Sequence, residues 1–166
     1  MDLNNNNAPA IIDEDHRGPI KTFQYIVIKV GDEQYGIDIN FIDHIVRMTP
    51  ITRIPKVSEY LKGVINLRGE VIPVMSLRLK MGLPADVITK ASRIIILKSE
   101  TEGNLGVIVD EVKEVVTLTE FEIEDVSPDV KDVRANFING IGKRNNNELI
   151  SLLDLSTMTL EDNINA

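Results

Sequence analysis

The sequence contains no cysteine and no tryptophan, and aromatic residues make up only 4% of its 166 positions. Without cysteine there is no disulfide, thiolate metal site or cysteine nucleophile, and the chain suits a reducing compartment. Few aromatics leave few stacking platforms for single strands, and a net charge of −8 opposes the phosphate neutralisation on which nucleic-acid affinity rests. An oligonucleotide-binding barrel is therefore disfavoured. Long hydrophobic runs are missing too: Ile94–Leu97 is bounded by Arg93 and Lys98, far short of the roughly 20 residues of a spanning helix. Met1–Asn7 has neither the basic nor the apolar region of a signal peptide. The expectation is a cytoplasmic protein with no direct membrane insertion and no nucleic-acid partner.

Chemistry-bearing patterns are equally scarce. The two histidines, His16 and His44, belong to no His-Glu-x-x-His cluster or other ligand spacing. None of the seven serines occupies a Gly-x-Ser-x-Gly elbow. Gly140-Ile141-Gly142-Lys143 lacks the Walker spacing, and the acidic stretch Glu120–Asp132 lacks the glycine of a calcium loop. No catalytic residue, metal or cofactor is expected. The competing enzymatic reading, a carboxylate-dependent hydrolase on a β-barrel, requires acids such as Asp38 and Asp110 to converge in a pocket.

What is present is charge asymmetry and β-branched patterning. Residues 1–21 carry two basic and four acidic groups, 22–93 ten and seven, and 94–166 six and fifteen, giving −2, +3 and −9. Residues 1–21, with an asparagine run and Pro9, read as a disordered arm. From Thr22 onward isoleucine and valine dominate, which favours strands. Phe23–Val30 and Gln34–Ile39 form one hairpin around Gly31-Asp32-Glu33. Gly63–Leu67 and Val71–Leu77 form a second around Arg68-Gly69-Glu70, with Pro73 demanding an edge or a bulge. Arg93–Lys98 with Leu105–Val109, and Gly140–Lys143 with Leu149–Leu153, repeat the theme, and Met158–Leu160 closes a short terminal helix.

The repetition is residue by residue. Gly36, Ile37, Ile39, Ile42, Ile45 and Val46 match Gly106, Val107, Val109, Val112, Val115 and Val116 at one constant offset. Gly63-Val64 likewise matches Gly140-Ile141. Two copies of one β unit, each too small to bury a core alone, are expected to pack together. Arg68 at its hairpin tip presents a fork of donors suited to a partner's carboxylate.

Several blocks occur in an order that resembles the CheW family of bacterial chemotaxis coupling proteins. They are Gly31–Ile39, Pro55, Lys62–Gly69, Val71–Val74, Leu105–Asp110 and Asn139–Gly142, within residues 22–156. The resemblance implies a mainly all-β fold of two packed five-stranded SH3-like barrels with short helices and a C-terminal helix. The domain would run over 22–160, with units near 22–84 and 85–156, strand exchange between them, and a tail at 161–166. It implies a non-enzymatic adaptor joining the cytoplasmic tip of chemoreceptors to the regulatory domain of the chemotaxis histidine kinase, recruited to membrane-associated arrays. The receptor tip would dock between the barrels. Partner-contact residues carried over by position are Gly63, Asn66, Leu67, Arg68 and Gly69, with Ile42 and His44 nearby. On the second unit they are Gly106, Val112 and Val115. Many members have glutamate where His44 stands. A regulatory-domain fragment of a kinase-type relative is the remaining alternative, although no ATP-binding or receiver sequence is present.

Overall fold

The computed structural model describes residues 18–99, 103–126 and 137–155. Their strands are β1 Thr22–Val30, β2 Glu33–Asp38, β3 Ile42–Arg47, β4 Leu61–Leu67, β5 Glu70–Ser76, β6 Arg93–Leu97, β7 Leu105–Val109, β8 Glu111–Thr119, β9 Ile123–Asp125, β10 Ile138–Lys143 and β11 Leu149–Leu153. One α-helical turn, α1 Leu77–Lys80, follows β5, and single 3-10 turns occupy Ile39–Phe41 and Glu120–Glu122. Most of the arm, the expected helix at Met158–Leu160 and the tail lie outside the described residues.

Two sheets result, one of six strands ordered β8-β1-β2-β11-β10-β9 and one of five ordered β3-β6-β7-β5-β4. Apart from β9 the two orders correspond strand for strand, each with one parallel pairing, β2 with β11 and β7 with β5. Gly36 lies between Val27 and Leu152, and Gly106 between Ile96 and Val74, so the sequence repeat is a structural repeat. Sheet membership does not follow the sequential division at 84–85. Each sheet takes the first two strands of one copy; the five-stranded sheet adds three strands of the other copy and the six-stranded sheet adds four.

Both sheets curl. β8 and β9 are opposite edges of the larger sheet, yet Thr119 and Ile123 are four residues apart, so the chain can separate them by at most about 14 Å. The smaller sheet bends in the same way. After β3 the chain reaches the far edge within five residues, where Thr52 and Val64 exchange two backbone hydrogen bonds of 2.8 Å.

Three apolar clusters follow from this shape. Ile65, Ile72, Val74, Ile94, Ile96 and Ile108 fill the curl of the smaller sheet. Val27, Val116, Leu118, Ile150 and Leu152 fill that of the larger. A third and largest cluster lies between the subdomains and includes Ile28, Tyr35 and Ile37 from one, and Met75, Ile95 and Val107 from the other. β6 feeds alternate residues into two clusters, which is why Ile94–Leu97 reads as a continuous apolar run.

The apolar spacing of three at Ile42/Ile45 and Val112/Val115 arises within strands. A register irregularity between Ile42 and His44 in β3, and one opposite Val112 and Glu114 in β8, inserts an extra residue. Pro73 is on neither an edge nor a bulge. It sits in interior strand β5 opposite Val64, whose N–H and C=O both point away to Thr52. Pro73 is therefore not asked to donate to β4, and the ladder to β7 starts one residue later, at Val74.

Candidate partner-binding surface

The β4–β5 hairpin is held at its base and bare at its tip. At the base, Gly63 is buried with φ of +143°, and a Cβ there would lie 2.0 Å from the Thr52 carbonyl oxygen. No other residue type allows the Thr52–Val64 bridge to close beside it. At the tip, Leu67 pairs with Glu70 and leaves the two-residue turn Arg68-Gly69, with φ of +54° and +85°. Positive φ at both positions is the turn geometry that follows the strands' right-handed twist. Asn66 stabilises it by accepting the Gly69 N–H at 3.1 Å.

Arginine in the left-handed region costs about 1–2 kcal/mol, whereas asparagine or glycine would be more comfortable. The side chain that incurs this cost is exposed and has no ion pair among the described residues. The matching hairpin of the other subdomain is different. There Arg144 is bound to Glu114 at 2.8 Å and Glu148 at 3.3 Å, and Glu148 also accepts from Gln34. One tip is neutralised internally and the other offers a free guanidinium.

The remaining expected residues fall into four groups. Asn66 and Gly69 are exposed beside Arg68, while Leu67 turns partly into the curl of the smaller sheet. Ile42 and His44 lie on edge strand β3 of the same sheet. Ile42 is half-buried against the inter-subdomain cluster. Pairing of Ile42 with Leu97, Leu97 with Leu105, and Val74 with Gly106 puts Ile42 at the end of the sheet from which the Arg68 tip projects. His44 Nδ1 is 2.8 Å from Asp43 Oδ2, and its Nε2 is buried without a hydrogen-bond partner among the described residues. On β8 of the other subdomain, Val115 is 55% exposed and Val112 packs on the inter-subdomain cluster. Gly106 touches no surface. It is buried in β7, where a Cβ would meet Ile94 Cγ2 at 2.9 Å, so its role is packing.

Beyond the match at Pro55, sequence reasoning gave the segment between β3 and β4 no binding role. A groove there is lined by Arg53, Ile54, Pro55, Lys56, Val57 and Lys62, among others. Ile54 and Val57 are exposed apolar residues, and Arg53, Lys56 and Lys62 have no ion pair among the described residues. The groove adjoins Gly63, so it extends the Arg68 hairpin into an apolar and basic surface. The alternation of basic and apolar residues around Pro55 was its signal.

The acids required by the hydrolase reading have other tasks. Asp38 accepts the Asn40 N–H at 2.9 Å. Asp110 accepts both the Arg78 guanidinium and the Gly31 N–H. Among the described residues no group of three or more His, Asp or Glu is placed to hold a metal, and no helix is long and apolar enough to cross a membrane.

The exchange of strands leaves charge polarity intact. Among the described residues, 42–99 with 103–109 hold ten basic and four acidic residues, net +6, whereas 22–38 with 110–126 and 137–155 hold four and twelve, net −8. The two sheets thus carry opposite formal charge.

Comparison with known proteins places these features in a family. The CheW-like domain matches residues 24–161. A chemotaxis protein CheW of Helicobacter pylori is 34% identical over 142 residues, covering 86% of this chain and 84% of its own. The one from Bacillus subtilis is 37% identical over 133 residues, covering 80% and 84%. The crystal structure of the scaffolding protein TtCheW from Thermoanaerobacter tengcongensis superposes with a TM-score of 0.74 at 34% identity, covering 81% of this chain and 90% of that one.

Proposed function

The chain belongs to the CheW-like domain family, and from that premise we propose that it is a non-enzymatic chemotaxis adaptor coupling membrane chemoreceptors to the chemotaxis histidine kinase. The observation that carries the assignment to a surface is Arg68, an exposed cation held in a costly backbone conformation with no counter-ion of its own among the described residues. Strain retained at an exposed tip points to use there. In this reading Arg68 receives a carboxylate of the kinase's regulatory domain, and the groove from Arg53 to Lys62 widens the contact. A specific interface buries about 1,200–2,000 Å² in total, which one hairpin tip cannot supply but the tip, the groove and the β3 edge together can.

The second end of the adaptor is β8, where exposed Val115 offers an apolar anchor on the negatively charged subdomain. In the same reading the receptor's cytoplasmic tip docks where the two subdomains meet. Opposite charge on the two ends orients each partner more than it tightens it. The adaptor acts in the cytoplasm and is recruited to receptor arrays through these contacts.

The experiment is kinase activation by receptor, measured with and without this protein. Activation that does not depend on the protein overturns the role. Arg68→Glu and Val115→Arg test the sites, since both side chains are exposed and neither change disturbs a cluster. Retention of kinase and receptor binding by both variants refutes the site assignment.

A further inference from the structure

The chain passes between the subdomains at two places, Ile39–Phe41 between β2 and β3, and Asp110 between β7 and β8. The two crossings are built differently. At the first, Asp38 caps Asn40 within the same segment, and the Lys98 N–H donates to the Phe41 carbonyl at 2.8 Å. At the second, the Asp110 carboxylate is held from both subdomains at once. From the five-stranded side, Arg78 Nε donates to Oδ1 at 3.0 Å and Nη2 to Oδ2 at 2.6 Å. From the six-stranded side, the Gly31 N–H in the β1–β2 turn donates to Oδ2 at 2.8 Å. The Asp110 N–H also donates to the Lys29 carbonyl at 3.0 Å.

Arg78 is itself anchored. Its Nη1 reaches the carbonyls of Pro84 and Ala85 at 3.4 and 3.5 Å, so the fork cannot swing without breaking contacts behind it. The Arg78 and Asp110 side chains are 17% and 21% exposed, which shields the pair from much of the screening that weakens surface ion pairs. Asp86 and Asp32 add further negative charge around the guanidinium. The apolar cluster between the subdomains provides cohesion, but apolar contact has no preferred direction. A bidentate guanidinium–carboxylate pair does have one.

We propose that Arg78, Asp110 and the Gly31 N–H form a clamp that sets the orientation of one subdomain against the other. Resting on the adaptor role above, the clamp thereby fixes the geometry in which one molecule holds two partners. Arg78 and Asp110 are positioning residues that reach the partners only through this orientation.

The absence of cysteine makes a direct test practicable. Val71→Cys and Leu149→Cys put one spin label on each subdomain of the full chain, at positions 62% and 57% exposed. Pulsed electron resonance then reads the distance distribution between the sheets. In the unsubstituted background a single narrow distribution is expected. Arg78→Lys keeps the positive charge and loses the fork, and should at least double the width. Asp110→Asn keeps an acceptor for Gly31 and loses the ion pair, and should act in the same direction. Binding of the isolated kinase regulatory domain should stay within twofold, while receptor-dependent kinase activation falls fivefold or more. Unchanged distributions in both variants overturn the clamp, and broadened distributions with full activation overturn its link to coupling. If the unsubstituted chain supports no activation, the adaptor role fails while the distance result still judges the clamp.

Discussion

Replacing Gly63 with alanine tests whether backbone geometry, not the hairpin's side chains, sustains the candidate surface. A φ of +143° is open to glycine alone, and the new Cβ would stand 2.0 Å from the Thr52 oxygen and 2.7 Å from its carbonyl carbon. Both contacts are to backbone, so no rotamer change relieves them. At the strained angle the Thr52 backbone must also move aside, which breaks the two Thr52–Val64 hydrogen bonds that close the curl. Strain of about 1–3 kcal/mol, added to two bonds of about 0.5–1.5 kcal/mol each, gives a loss of about 2–6 kcal/mol. For a chain of this size that corresponds to a fall in Tm of roughly 5–20 °C. Gly69→Ala is the control. Its φ of +85° is also unfavourable, but no atom lies within 4 Å of the place its Cβ would take, so a loss near 1 kcal/mol is expected. Circular dichroism during thermal and urea unfolding measures both. Equal losses in the two variants, or a Gly63→Ala loss under about 1 kcal/mol, would refute the steric reasoning.

Further outcomes follow from the same geometry. Arg68→Asn places a residue at ease in the left-handed region and should raise stability by about 0.5–1 kcal/mol in urea unfolding while weakening kinase binding; unchanged binding counts against Arg68 as a contact. Burial alone would raise the Asp110 carboxyl, but the Arg78 hydrogen bond, the Gly31 N–H and nearby positive charge hold it below its ordinary 3.8. Its stabilisation is therefore present above roughly pH 4 and lost as the pH falls through the lower, folded value. Asp110→Asn should be less stable than the unsubstituted chain by about 1.5–3 kcal/mol at neutral pH, and a gap that does not narrow in acid contradicts this. Val112→Arg should lower Tm because Val112 packs on the inter-subdomain cluster, whereas Val115→Arg should leave Tm almost unchanged, both read by calorimetry.

The local grammar of the fold was legible because it is local. β-branched runs marked most strands, and glycine-containing turns marked the hairpins. Three features were hidden for identifiable reasons. The bulges in β3 and β8 turn a period of two into a spacing of three, which masked both as strands. α1 begins at Leu77, within the expected strand, because the Ser76 hydroxyl accepts the Leu79 N–H at 3.1 Å and starts a helical turn. The interior place of Pro73 depends on a bridge from Thr52 that no local pattern announces. At the surface, Arg68 stood out by its position in a turn, and its bare charge became evident only against the neutralised Arg144 hairpin. Gly106 was grouped with contact residues by its place in a motif, although its repeat partner Gly36 has the same packing task, with Leu152 Cδ2 at 2.9 Å from a would-be Cβ.

The exchange of strands has a consequence for how such a chain comes into being. β1 and β2 emerge first during synthesis, yet their neighbours are β8 and β11, which begin at Glu111 and Leu149. Neither copy of the repeat can complete its own sheet, so cutting the chain between them should yield no autonomous half, in contrast to an array of tandem repeats. Closing such long loops comes before any reward from the contacts they make, and folding should be slow for a domain of this size. Until the last strands are available, the first hairpin has unpaired edges of valine and isoleucine, a sequence type that invites pairing with the wrong chain. The same arrangement that joins the two subdomains makes the later strands guardians of the earlier ones.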